Sequence, residues 1–408
     1  MSKTSWMIKL LRLVLKKTYG KWILHHYDVH LKGYENIPIE GPFLIIGNHS
    51  HTYDSLFLSA SMPLHIHWVM GAYLFKIRFL HHIFDTLLQG IAKQQGKSDL
   101  QTIKGMRTRL NEGGVVAFFP EGTRTWDGES IPVNNATAKL IRIFNVPVVI
   151  VHFEGAFGSK PRWTLKRRKG PITIRVVKVI QKEELHHKSV EEVAALVNTH
   201  LVHSYDEWQQ EHHIPYVSST KALGIENILY ACPTCHSFST IQGEMNKFTC
   251  ISCKSQWELN EYDEILPLVG SSSYTTIATW HNWELSYVKE LLNSDSKTPL
   301  FNLDDGVLFQ QASPTQLILL SKDFSITATS KAFILQVNTF EMVEPPFNDK
   351  KIVFYFDDIN SIAINAKSTL EFSHGNTIYR VRIKSNQSIL KYMELYQLHQ
   401  KMIIKESV

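Results

Sequence analysis

The chain has 408 residues, 44% of them hydrophobic and 20% charged, which is the composition of an ordered globular protein long enough for two or three domains. Forty-three Lys and Arg against 38 Asp and Glu leave a net charge of +5, too mild to point to nucleic acid. The only four cysteines, Cys232, Cys235, Cys250 and Cys253, are spaced for a metal rather than for disulfides, which favours a reducing, cytosolic exposure.

Residues 4–24 predict a helix with Trp6, Met7, Leu10, Leu11, Val14 and Leu15 on one face and Lys9, Arg12 and Lys16 on the other. Lys9, Arg12, Lys16 and Lys17 interrupt its apolar stretch and no small-residue cleavage site follows, so no signal peptide is expected. Seven Lys or Arg and one acid, Asp28, fall between residues 1 and 32. Such a helix would lie in the plane of an anionic bilayer, each basic residue adding about 1 kcal/mol. The alternative is a helix packed on its own domain.

The apolar run 42–46 reads as a buried strand ending at Gly47, and a helix is expected over 55–62. His49 then sits on the turn between them, with Asp54 near the helix N-terminus. Such a turn can fold the carboxylate back onto the imidazole, fixing its tautomer and making the other ring nitrogen more basic, as general-base work on a hydroxyl requires. A capping Asp beside a surface His is the plain alternative. Residues 55–75 contain no Asp, Glu, Lys or Arg, long enough to mimic a membrane span, but Pro63, His65 and His67 favour a helix followed by a strand over 65–70. A further strand, 115–119, runs into Pro120, Glu121, Gly122, Thr123 and Arg124. With strands at 148–153 and 172–179 and helices at 98–112, 135–144 and 189–205, the pattern predicts an α/β sheet with helices on its faces. Sites in such sheets gather where strands end, so His49 and Glu121 are expected to converge.

Three blocks in this order, NHxxxxD (Asn48, His49, Asp54), FPEGTR (119–124) and VPVVIVHFEG (146–155), resemble the glycerolipid acyltransferase family, of the lysophosphatidic-acid-acyltransferase type, over about residues 30–200. The resemblance implies that His49 and Asp54 are catalytic and that Glu121, Gly122, Thr123 and Arg124 bind the glycerol-phosphate end of an acceptor. The family carries a further basic residue between these blocks. Here the stretch 90–97 has no arginine, so Lys93 or Lys97 is expected to stand in as a point charge without the bidentate fork, which leaves the acceptor's identity open. His51 takes a place where the family often has Ser and reads as a wall residue. With a lipid substrate implied, residues 1–29 are expected to dock on an anionic membrane surface, placing a peripheral or monotopic protein on the cytoplasmic face.

Downstream, Lys160, Arg162, Lys166, Arg167, Arg168 and Lys169 read as a surface cluster, either a solvated loop or a contact for headgroups or carrier phosphates. Cys232, Cys235, Cys250 and Cys253 form CxxC-x14-CxxC, the spacing of a structural tetrahedral Zn²⁺ with no open position, in a zinc ribbon over 228–264. Rubredoxin-like iron is the alternative. His236 follows the first knuckle, where such ribbons often have Gly. A helical linker is expected over 265–298. Residues 299–408 are β-rich, with seven or eight short strands and a final helix over 387–402, by analogy a pleckstrin-homology-like barrel.

The expected function is acyl transfer from acyl-CoA or acyl-ACP to a hydroxyl of a lysophospholipid such as 1-acylglycerol-3-phosphate. His49 would take the hydroxyl proton, Asp54 would orient it, and Arg124 with the Gly122 and Thr123 backbone N–H groups would grip the phosphate. The domain division is 1–29, 30–215, 228–264, 265–298 and 299–408. The alternatives are a membrane-bound lipid-docking scaffold whose ribbon and C-terminal domain bind a protein partner, and an acyltransferase for a non-glycerophosphate acceptor. Residues 236–265 are too weakly basic for nucleic acid, so no such partner is expected.

Overall fold

The computed structural model describes residues 6–38, 40–75, 81–93, 100–270, 273–293, 298–312, 316–344, 346–365 and 368–406. The chain divides into two compact units, residues 1–162 with 167–217, and residues 163–166 with 218–408.

The first unit is built on a seven-stranded sheet of β1 (Val29–Lys32), β2 (Phe43–Gly47), β3 (Ile66–Gly71), β4 (Ile91–Lys93), β5 (Val115–Phe118), β6 (Val148–Glu154) and β7 (Ile172–Ile180). Its strand order is β1-β7-β6-β2-β5-β3-β4, parallel except where β7 runs against β6. β2 is central and buried along its whole length, which is why its sequence is an unbroken apolar run rather than an alternating one. Successive side chains point to opposite faces. Phe43 and Ile45 pack with Ile23, Phe57 and Leu58, whereas Leu44 and Ile46 pack with Met106, Leu110, Ile141, Val193 and Val197 from the helices on the other side. Ile45 lies in register with Ala117 of β5 and Val149 of β6, so the strand ends carrying the two polar turns emerge side by side.

Two helices differ from expectation. The N-terminal one is Trp6–Leu15, a π-helical turn Lys16–Gly20, then Lys21–His26. Trp6–Leu15 buries no residue: Trp6 is 71% exposed and Leu10 50%. The helix expected over 189–205 is two, Val190–Leu201 and Tyr205–His212, because Val202 turns extended and Ser204 caps the second by accepting the Glu207 N–H. The uncharged stretch 55–75 is a helix, Asp54–Ser61, followed by β3. Among the described residues no helix is long and apolar enough to cross a membrane.

The second unit contains a four-stranded antiparallel sheet of β8 (Ile241–Glu244), β9 (Lys247–Cys250), β10 (Gln256–Leu259) and β11 (Ile265–Val269), then the helix Ile277–Asn293. An eight-stranded antiparallel sheet follows: β12 (Asp304–Ala312), β13 (Leu317–Ser321), β14 (Asp323–Ala328), β15 (Ala332–Thr339), β16 (Lys351–Tyr355), β17 (Ile359–Asn365), β18 (Thr369–His374) and β19 (Thr377–Ile383). Their order is β16-β15-β14-β12-β19-β18-β17, with β13 paired to β12, and the helix Leu390–Glu406 ends the unit. Segments 228–264, 265–298 and 299–408 all lie in this one unit. A buried polar knot ties the first and last of these: Asp304 of β12 accepts from Ser239 (2.9 Å), Tyr392 (2.7 Å) and Lys391 (2.5 Å). Both charges of the Lys391–Asp304 pair are fully buried, so losing either partner would strand the other at a cost of about 3–5 kcal/mol.

Candidate active site and candidate metal centre

The turn 48–54 closes on the Asp54 carboxylate. Asp54 begins its helix, is fully buried, and directs one oxygen back into the turn. Oδ2 accepts from the Ser50 N–H (2.9 Å), the His51 N–H (2.8 Å) and His49 Nδ1 (2.9 Å). A carboxylate can only accept there, so Nδ1 carries the proton and Nε2 is left as the basic nitrogen. The imidazole stacks on Phe119, with ring centroids 4.0 Å apart and 6° between planes. Its side chain keeps 20% of its surface open. Burial pushes the His49 pKa down; Asp54 opposes this, and the charges of Arg124 and Arg162 add to it. His49 is therefore neutral at neutral pH, ready to accept a proton.

Phe119, Pro120, Glu121 and Gly122 form a β-turn, with proline second and the Gly122 N–H donating to the Phe119 carbonyl at 3.1 Å. The turn therefore already engages the Gly122 N–H expected to meet an acceptor phosphate. Gly122 has φ +70° and open space where a Cβ would stand. Glu121 reaches the first turn: its Oε1 accepts the His49 backbone N–H at 3.0 Å. Burial first, then the charges of Asp54 and Asp127, push its pKa up to about 8, against the bond from His49. The Thr125 N–H donates to the His49 carbonyl at 2.9 Å. His49 is thus held at both backbone atoms by the 121–125 loop.

Lys93 lies apart from this cluster. It is exposed at the end of edge strand β4, three strands from β2, or about 14 Å at the usual strand spacing. Lys97 lies outside the described residues. His51 is fully buried against Tyr27 and Phe57, accepts the Tyr53 N–H through Nδ1 (3.0 Å), and has its pKa pushed down to about 3 by burial. The surface-cluster reading fails for two members: Arg162 is 4% exposed and Arg168 1%. Arg162 joins the site. Its Nη1 donates to Thr123 Oγ1 (2.6 Å) and to the Arg124 carbonyl (3.1 Å), and its guanidinium lies 4.3 Å from the Trp126 ring centroid. Asn48, although part of the first motif, had no role assigned from sequence; its Oδ1 accepts the Phe153 N–H at 2.8 Å and pins the turn to β6.

In the second unit the Sγ atoms of Cys232, Cys235, Cys250 and Cys253 all lie within 4.8 Å of one another. The Cys232–Cys253 and Cys235–Cys250 separations are 3.7 Å, close to the edge of a tetrahedron with metal–sulfur bonds of about 2.3 Å. Four thiolates so placed could hold a metal ion. Each knuckle turns on a left-handed residue after its second cysteine, His236 at φ +60° and Lys254 at φ +64°, which is why glycine suits that position and why a histidine there does not prevent the fold.

The acyltransferase family model matches residues 28–154. A 1-acyl-sn-glycerol-3-phosphate acyltransferase of Helicobacter pylori (strain J99) is 30% identical over 133 residues, 31% of this chain and 56% of that protein. A 1-acyl-sn-glycerol-3-phosphate acyltransferase of Bacillus subtilis (strain 168) is 24% identical over 164 residues, covering 40% and 79%. The chain thus spans little more than half the length of the first relative. Among solved structures, the 1-acyl-sn-glycerophosphate acyltransferase of Thermotoga maritima aligns with a TM-score of 0.43 at 20% identity, over 52% of this chain and 83% of that one.

Proposed function

We propose that this chain, whose residues 28–154 belong to the acyltransferase family, moves a fatty acyl group from acyl-CoA or acyl-ACP to a hydroxyl of a lysophospholipid such as 1-acylglycerol-3-phosphate. The observation that carries this reading is the 2.9 Å bond from His49 Nδ1 to Asp54, in a turn fastened to the loop that bears Arg124. His49 Nε2 takes the acceptor's hydroxyl proton as the oxygen attacks the thioester carbonyl. The tetrahedral intermediate then collapses, the C–S bond breaks, and the imidazolium returns its proton to the leaving thiolate. Asp54 orients the ring and stabilises its cationic form. Arg124 and Thr123 meet the acceptor's phosphate. Glu121, kept largely protonated by burial, fastens the two loops and so positions His49.

A non-glycerophosphate acceptor is the second reading, favoured by the distance of Lys93 from the other site residues. Offering the purified chain a panel of lysolipids with acyl-CoA or acyl-ACP, and following product mass, tests both. Diacyl product from lysophosphatidic acid is expected. Product from another acceptor alone supports the second reading, and no acceptor-dependent thioester loss contradicts both.

The exposed apolar side chains of Trp6–Leu15, with Lys9 exposed beside them and Arg12 half-buried on the Leu87 carbonyl, support docking on an anionic membrane at its cytoplasmic face. Trp6→Asp with Leu10→Asp should then release the protein from anionic vesicles; unchanged sedimentation with them would contradict docking. The four cysteines support a structural Zn²⁺, which would cross-link the two knuckles and take no part in acyl transfer. Strand order in the eight-stranded sheet, with one closing helix, supports a pleckstrin-homology-like module suited to a protein partner.

A further inference from the structure

The loop that carries Arg124 is braced from two directions. At one end the Thr125 N–H donates to the His49 carbonyl at 2.9 Å. At the other, Arg162 spans Thr123 and Arg124, donating from Nη1 to the Thr123 hydroxyl at 2.6 Å and to the Arg124 carbonyl at 3.1 Å. Bonds from a guanidinium are charge-assisted and directional, so they fix the loop backbone more firmly than a neutral donor would. Arg162 is itself fixed, being 4% exposed with its Cζ over the Trp126 ring, 4.3 Å from the centroid. It comes from the segment after the short helix Ala156–Ser159, which follows the third block directly but lies 38 residues beyond Arg124.

We propose that Arg162 is a positioning residue of the acceptor site, holding the Thr123–Arg124 arm where the acceptor's anionic headgroup meets Arg124 while its hydroxyl meets His49. The inference rests on the acyltransferase reading above and adds to it the element that sets the geometry of the phosphate grip. Arg162 has a second, electrostatic effect. Its positive charge, like that of Arg124, disfavours protonation of His49 and so keeps the base free at lower pH.

Brace and charge can be separated with two variants. Arg162→Lys keeps the charge but loses the flat guanidinium seated on Trp126, from which Nη1 is aimed at both acceptors. Arg162→Gln loses the charge. Measured on the full chain with lysophosphatidic acid and acyl-CoA, both variants should raise the acceptor KM at least tenfold and leave the acyl-CoA KM within about twofold. The acid limb of kcat/KM against pH should stay in place for Arg162→Lys and move to higher pH for Arg162→Gln; a merely structural residue would move neither limb selectively. Folded variants whose acceptor KM stays within about twofold and whose acid limbs do not move would overturn the proposal. If neither variant folds, Trp126→Leu withdraws the ring that backs the Arg162 guanidinium and is read by the acceptor KM against the acyl-CoA KM, with the same selective tenfold rise expected and the same twofold limit overturning. Wild-type protein that turns over no lysolipid at all would defeat the acyltransferase reading, whereas active wild type with silent variants defeats only the role of Arg162.

Discussion

The backbone N–H of His49 donates to the carboxyl of Glu121 across 3.0 Å, so two motifs 72 residues apart in sequence share a hydrogen bond at the atom next to the proposed base. This bond asks only for an acceptor oxygen, and burial keeps Glu121 largely protonated. Glu121→Gln retains such an oxygen and should keep kcat within a few-fold. Glu121→Ala leaves a buried N–H unsatisfied, a cost of about 1–3 kcal/mol, and should lower kcat about 10- to 100-fold. Steady-state kinetics of the two variants checks the contrast; equal loss in both would show that the carboxylate charge, not the bond, matters.

Opposed ionisations set the pH dependence of stability. Burial holds the pKa values of His51, His65 and His203 at about 3 in the folded chain, against 6.5 for a free histidine. Each takes up a proton on unfolding between those values, so their contribution is complete above pH 6.5 and is lost as pH falls toward 3. Glu121 and Glu129 are raised to about 8 and about 7 from 4.5, so each releases a proton on unfolding and their contribution is lost as pH rises through that range. Stability should therefore be greatest near pH 6.5 and fall on both sides, by about 1.4 kcal/mol per pH unit for each proton. Urea midpoints at pH 4, 6.5 and 8 check this, and Glu121→Gln should flatten the alkaline side.

Gly47 closes β2 two residues before His49. A Cβ there would stand 2.8 Å from both Val151 Cγ2 and the Val151 carbonyl oxygen. Gly47→Ala should push the strand end away from β6, costing about 1–3 kcal/mol and disturbing the His49 turn. Thermal denaturation and kcat together test it; a variant as stable and active as wild type would show that the strand end has slack.

Native mass spectrometry should find one zinc per chain. Serine in place of Cys232 and Cys250 should abolish it and destabilise the second unit, while acceptor-dependent thioester loss persists in any variant that stays folded. A folded, metal-free variant without turnover would tie the metal to the chemistry.

Much of the site was legible because strand and turn chemistry are local. The apolar runs at β2, β5 and β6, the proline-bearing turn after β5 and the cysteine spacing each carry their meaning in a few neighbouring residues. What escaped depends on long-range contacts. Arg162 and Arg168 lie in a run of charges that reads as surface, and only tertiary burial, with Trp126 as a platform for Arg162, shows otherwise. The commitment of the Gly122 N–H to its own turn was likewise invisible in the motif, since the letters give the turn's composition but not which donors it consumes. The break between the helices ending at Leu201 and beginning at Tyr205 rests on one extended residue, Val202, and on the Ser204 side chain accepting the Glu207 N–H, neither of which the apolar spacing over 189–205 displays.

The central claim is that His49 deprotonates the acceptor hydroxyl, and acceptor-dependent thioester loss by folded His49→Ala tests it most directly. The rate should fall by at least about a thousandfold, with the thermal transition and acceptor binding unchanged. Turnover within about tenfold of wild type in that variant would contradict it.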